Sequence, residues 1–331
     1  MLKNTFRRPI TDMNALVVTR PKSLAAKGFS DRNYVPSPWA RGTLLVADLR
    51  RTVGVRKPFP AVFMTVVAAM IAAAALVHAS ADQPVRGEPL EEAQRLFYSG
   101  RYDAAAALAL VVRTAAPDNL AASELRGSAL HFQIRRILGT PENKTQAWAQ
   151  CDLCEGLLSA FMAEADHGRS VARSRLKQNP TDEDALFFLG KMNLNVIWLH
   201  LATLGRRTGW SEYWEARKSL DGVLKVNPQH VRARVARAWI DYIIDTKVPR
   251  GTRWLLGGGS RQRGLDAVRE AAQEASPPYV QAEAMFALWD MQVRERNLAD
   301  AIVVARALAR DFPDNRELTK FLYTYDLQGS R

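Results

Sequence analysis

Cysteine and histidine are scarce: the 331 residues hold two of the first and five of the second. That excludes a disulfide-stapled scaffold, and it leaves little for zinc. The body's four histidines (His131, His167, His200, His230) show no paired spacing, and a tetrahedral site needs a full ligand set. Stretches rich in β-branched residues are also few, while alanine, leucine and arginine dominate, which favours helix over strand. No Ser-His-Asp pattern, no carboxylate pair and no Gly-Lys-Ser/Thr phosphate loop stands above the background.

What is present begins with charge. The net charge is +12, but residues 1–57 carry twelve Lys/Arg against three Asp/Glu, whereas residues 82–331 carry 34 against 31. The basic excess therefore sits in the leader. Arg232, Arg234 and Arg237 read as a solvated helix face, and no nucleic-acid partner is expected. Ala61–Val77 is seventeen residues without a charge, preceded by Arg56-Lys57 and followed by Ala79-Ser80-Ala81-Asp82. Residues 58–81 thus read as a signal peptide cleaved before Asp82 or, uncleaved, as an N-terminal membrane anchor. In both cases residues 82–331 are expected outside the cytoplasm, in the periplasm or tethered to the inner membrane facing it. Residues 1–57 exceed an ordinary signal n-region, so they are a disordered leader or a mis-assigned start, with Val55 as the alternative initiation point.

The body, 82–331, is built of a recurring pattern. Leu90, Ala93, Leu96 and Phe97 are helix-spaced, Gly100-Arg101-Tyr102 makes a turn, Ala105, Ala109 and Val112 line a second helix, and Pro117 ends it. Ala216, Leu220, Val223 and Pro228 repeat the second half after Tyr213. Met285, Leu288 and Trp289, then Ala301, Ala305, Leu308 and Pro313, give a further copy, and a weaker one ends at Pro180. This resembles the tetratricopeptide-repeat family, whose signature positions here are Gly100, Tyr102, Ala105, Pro117, Ala216, Pro228, Ala301 and Pro313. The resemblance implies an all-α fold of tetratricopeptide-like helical hairpins in an irregular right-handed α-solenoid. It also implies a surface that binds a protein or peptide partner. The closing prolines at 117, 180, 228 and 313 are unevenly spaced, which implies inserts or degenerate copies. Asn315–Arg331 reads as a terminal cap with Phe321, Leu322 and Tyr323 turned inward.

Few segments offer chemistry. Cys151-Asp152-Leu153-Cys154 fits a local disulfide or two buried thiols, with a redox couple or half a metal site as the alternatives. Gly257–Gly264 before a helix reads as a flexible turn with Ser260 as N-cap, or as an anion cradle helped by Arg261 and Arg263. Ala185–Leu204 is nearly apolar but carries Lys191, Asn193, Asn195 and His200, so it reads as a core helix. Beside it Trp198, Trp210, Tyr213 and Trp214 are the candidate groove. The resulting expectation is a non-catalytic exported scaffold for a protein or peptide partner in the cell envelope, with no metal and no cofactor. The alternative is a periplasmic small-molecule-binding accessory of a transport system, with those four aromatics as its pocket.

Overall fold

The computed structural model describes residues 88–326, apart from 140, 206–208 and 275; among these residues every regular element is helical. The leader 1–57 and the apolar segment 58–81 lie outside the described residues. Helices pair in sequence: α1 (Pro89–Tyr98) with α2 (Tyr102–Ala115), and α3 (Leu120–Leu138) with α5 (Cys154–Gln178). Next come α6 (Glu183–Trp198) with α7 (Trp210–Val226), and α8 (Val231–Lys247) with α9 (Arg261–Gln273). Last is α10 (Pro278–Arg294) with α11 (Leu298–Asp311). A short α4 (Lys144–Ala149) lies in the second pair's connection, and α12 (Arg316–Asp326) covers the last pair. These are tetratricopeptide-like hairpins, with α1, α3, α6, α8 and α10 as the first helix of each.

Local chemistry sets the boundaries. Each hairpin closes in a short proline turn, and three of the helices that follow start at a capped residue. Asn119, Asp182 and His230 each accept a hydrogen bond from the backbone N–H three residues on, at Ala122, Ala185 and Ala233. The long interval between Pro228 and Pro313 holds two hairpins, because Pro277-Pro278 marks a further closing turn. At the opposite edge every connection contains a left-handed residue: Gly100, Gly139, Gly205, Gly257 and Arg296 all have positive φ. Such a residue turns the chain back at the end of a helix, where glycine is cheapest.

Small residues allow the paired helices to approach. Ala105, Ala216 and Ala301 are wholly buried, and Tyr102 is buried between Phe97 and Phe132. Gly190 marks a close approach of α6 and α7: a Cβ there would lie 2.8 Å from Leu220 Cγ and 3.3 Å from the Ala216 carbonyl oxygen. Gly190→Leu should therefore destabilise by about 1–3 kcal/mol through overpacking. An unchanged urea midpoint would mean that α6 and α7 do not meet there.

The array closes on itself. Tyr98 at the end of α1 stacks on Phe286 (5.5 Å between centroids) and Tyr279 (6.2 Å) of α10, and its carbonyl accepts from Asn315 Nδ2 at 2.7 Å. Phe312 joins the same cluster. α6, extended by a π-helical turn at Leu199–Thr203, has the length and apolarity of a membrane span. It nonetheless supplies the largest core cluster, through Phe187, Phe188, Leu189, Met192, Leu194 and Ile197. In α12 Leu318 and Phe321 are buried, and Leu322, half-buried, packs against the same cluster. Tyr323, expected inside, is 73% exposed because it falls on the opposite side of the helix from Leu318 and Phe321.

Candidate functional site

The first helices of the five hairpins turn one face toward a shared interior, and that face is polar. Glu283 of α10 accepts from Lys191 Nζ of α6 at 2.6 Å and from Arg232 Nε of α8 at 2.5 Å. Arg232 also reaches Glu124 of α3 at 3.4 Å, and its guanidinium lies 4.6 Å over the Phe187 ring. Glu124 in turn accepts from Ser128 (2.7 Å) and from Asn195 (3.2 Å). Tyr98 stands within the electrostatic reach of this group, and burial pushes its hydroxyl well above the ordinary range.

Charge decides the ionisation of this cluster. Burial pushes the Glu283 carboxyl upward, but the guanidinium of Arg232 and the ammonium of Lys191 outweigh it and hold the pKa at about 2. The two cations face two carboxylates, so the interior is self-neutralising. It acts as a polar clasp drawn from four hairpins rather than as an open anion or cation receptor.

Arg232, Arg234 and Arg237, expected on a solvated face, are instead part-buried and paired. Arg232 joins the clasp, Arg234 bridges to Glu270 and Glu274, and Arg237 bridges to Asp221 and Asp241. Helix spacing alone does not reveal this, because most of the partners come from other helices. The residues missing from the sequence-derived candidates are Tyr98, Glu124 and Glu283, for the same reason. A further buried carboxylate, Glu164 of α5, is gripped by Arg126 of α3 and Arg113 of α2.

The four candidate aromatics divide. Trp198 and Tyr213 pack against the main core, and the Tyr213 hydroxyl donates to the Leu256 carbonyl at 2.8 Å. Trp210 and Trp214 lie outward at the start of α7, 55% and 44% exposed. Signature residues Gly100, Pro117, Pro228 and Pro313 occupy turns, and Ala105, Ala216 and Ala301 the helix contacts. Ser260 caps α9 by accepting from the Arg263 N–H, and Arg261 reaches Glu295.

Cys151 and Cys154 are joined by a disulfide at the start of α5. It closes a very short loop, so reduction should cost no more than about 2 kcal/mol. The urea midpoint with and without reductant checks this, and a larger loss would mean that the bridge fixes α4 and α5 together.

The three long connections share one edge, and each is tied down by side chains. Lys144 Nζ donates to the Ala202 carbonyl at 2.7 Å, and His131 shares a 2.9 Å hydrogen bond with Thr203. Arg217 donates to the carbonyls of Leu256 (2.6 Å) and Gly257 (3.0 Å).

No protein-family model and no curated protein matches the chain. Among solved structures, a thermophilic tetratricopeptide-repeat protein of Thermus thermophilus is similar at a TM-score of 0.41 and 14% identity, over 71% of this chain and 96% of that one. The fold class stated above rests on the hairpins of this chain: it is an all-α, tetratricopeptide-like helical-repeat protein.

Proposed function

We propose that this chain is a non-catalytic helical-repeat scaffold, exported across the membrane, that binds a protein or peptide partner in the cell envelope. The hairpin array supports the scaffold reading, since such arrays expose broad side-chain surfaces on a rigid frame. Export rests on the charge-free segment Ala61–Val77 and its basic flank. The observation that carries the partner reading is the pair of outward tryptophans on α7. Trp210 and Trp214 form an exposed aromatic surface beside the edge connections, and tryptophans at such positions are typical interface anchors. The closed, self-neutralised interior favours this outer surface over the inner one.

The test is affinity purification of the tagged full chain from an envelope extract, run beside a Trp210→Ser/Trp214→Ser variant. A stoichiometric protein captured by the wild type and lost with the variant is the expected result. Equal capture by both would move the binding surface elsewhere. A retained small molecule without a protein would replace the scaffold reading with ligand capture. A reporter enzyme fused after residue 331, active only outside the cytoplasm, tests export, and an inactive fusion would overturn it.

A further inference from the structure

Between α8 and α9 the chain makes a 3₁₀ helix, Arg250–Leu256, that no part of the scaffold reading uses. It is a rigid mount. Leu256 is buried, and its carbonyl accepts from Tyr213 and Arg217; Arg253 donates to the Val248 carbonyl at 2.9 Å and is paired with Asp245. On this mount Trp254 is 73% exposed and Leu255 stands beside it, also exposed.

Two features distinguish this knob from a loose surface aromatic. The Trp254 indole N–H already donates to the Gly251 carbonyl at 3.1 Å, so the ring can leave water without stranding a donor. The charges around it are also one-sided. Asp241 is paired with Arg237, Asp245 with Arg253, Asp266 with Arg269, and Glu295 with Arg261 and the Tyr242 hydroxyl. Among the described residues Lys247, Arg250 and Arg263 have no carboxylate partner. These acids are neutralised, and three cations remain on the connection that carries the indole and the leucine and on the helix ends that flank it.

We propose that the 3₁₀ knob Trp254-Leu255, with Arg250 at its own start and Lys247 and Arg263 on the helix ends that flank it, is a contact site for the surface of an anionic lipid bilayer. Indole rings settle at the headgroup level, and basic side chains around them are drawn to anionic lipid. A protruding knob, as opposed to a groove, fits a deformable lipid surface better than a folded partner, whose anchor residues insert into pockets. A single such contact is weak, so it acts as an orienting second attachment and not as an anchor. The proposal does not rest on the scaffold reading, which depends on Trp210 and Trp214.

The experiment places the full chain in vesicles of phosphatidylglycerol and phosphatidylcholine whose acyl chains are brominated, and reads quenching of tryptophan emission. The apolar segment 61–77 contains no tryptophan and is common to every variant, so it cannot create a difference. Trp254→Phe should lose a quenched component that the wild type shows. Arg250→Glu/Arg263→Glu should lose the same component, and high salt should diminish it in the wild type. Far-UV circular dichroism confirms that each variant is folded. Equal quenching in the wild type and Trp254→Phe overturns the proposal. So does a loss seen only with Trp210→Phe/Trp214→Phe, which would place the lipid on the α7 surface instead. Quenching lost with Trp254→Phe but indifferent to charge reversal and salt would overturn the anionic part of the assignment.

Discussion

Arg232→Met should destabilise the fold by about 3 kcal/mol, since removing one partner of a buried ion pair leaves the other uncompensated. Methionine keeps most of the aliphatic contact over Phe187, so the loss reports the charge and not a cavity. Glu283 would retain only Lys191, and Glu124 only Ser128 and Asn195. The pair keeps a little solvent access, with Glu283 14% and Arg232 19% exposed at the side chain, which places the effect at the lower end of the usual range of about 3–5 kcal/mol. Adding Glu283→Gln to Arg232→Met should restore part of the loss, because the stranded carboxylate is then gone. Chemical denaturation of the two single variants and the double variant measures the coupling. Additive losses would mean that the two side chains do not interact in solution.

Acid should unfold this protein from an unusually high pH, and His131 is the main reason. Burial, reinforced by the charge of Arg135, lowers the His131 pKa from 6.5 to about 3. The fold binds the neutral ring, so its contribution is complete above pH 6.5 and is lost as the pH falls toward 3. A lowering of this size is worth about 5 kcal/mol at the acid end. Glu283 acts in the same direction further down: its contribution is complete above 4.5 and is lost as the pH falls toward 2. Urea midpoints followed from about pH 7.5 to about pH 4 should therefore drop steadily, before most carboxylates titrate. His131→Gln can keep a hydrogen bond to Thr203 without a titrating ring, so its curve should be flatter over the same interval even if its midpoint at neutral pH is lower. Parallel curves for the two proteins would show that His131 is not the group responsible.

The hairpins are legible in the sequence because their signals are local. Alanines at three- and four-residue steps, a Gly-x-Tyr turn and a closing proline specify one hairpin without reference to any other. The fourth hairpin is hidden because Gly264 stands where the other copies have an alanine at the helix contact, and because Pro277 follows it by thirteen residues, whereas Pro117, Pro228 and Pro313 follow Ala105, Ala216 and Ala301 by twelve. The clasp is not legible at all. Lys191 stands out as the one charge in a nearly apolar helix, but Arg232, Glu283 and Glu124 come from helices far apart in the chain, and each of those three looks like an ordinary surface charge in its own segment. Aromatic placement lies between these cases. The density of rings between Trp198 and Trp214 is plain in the sequence, but which of them turn outward depends on how the π-helical turn at Leu199–Thr203 delivers the chain into α7.

The contact of Tyr98 with Asn315 joins residues 217 apart in the chain, and this changes how the molecule should unfold. An open stack of repeats loses its ends first and shortens gradually, because each unit depends only on its neighbours. Here neither end is free: fraying α1 strips Phe286 and Phe312 of their stacking partner, and fraying α12 loosens the side chain just ahead of it that holds the Tyr98 carbonyl. Deleting one terminal hairpin therefore damages the other, and the described repeats should melt as a single cooperative body. A contact so distant in sequence should also slow folding, since the entropy of closing the intervening chain is lost before the contact rewards it.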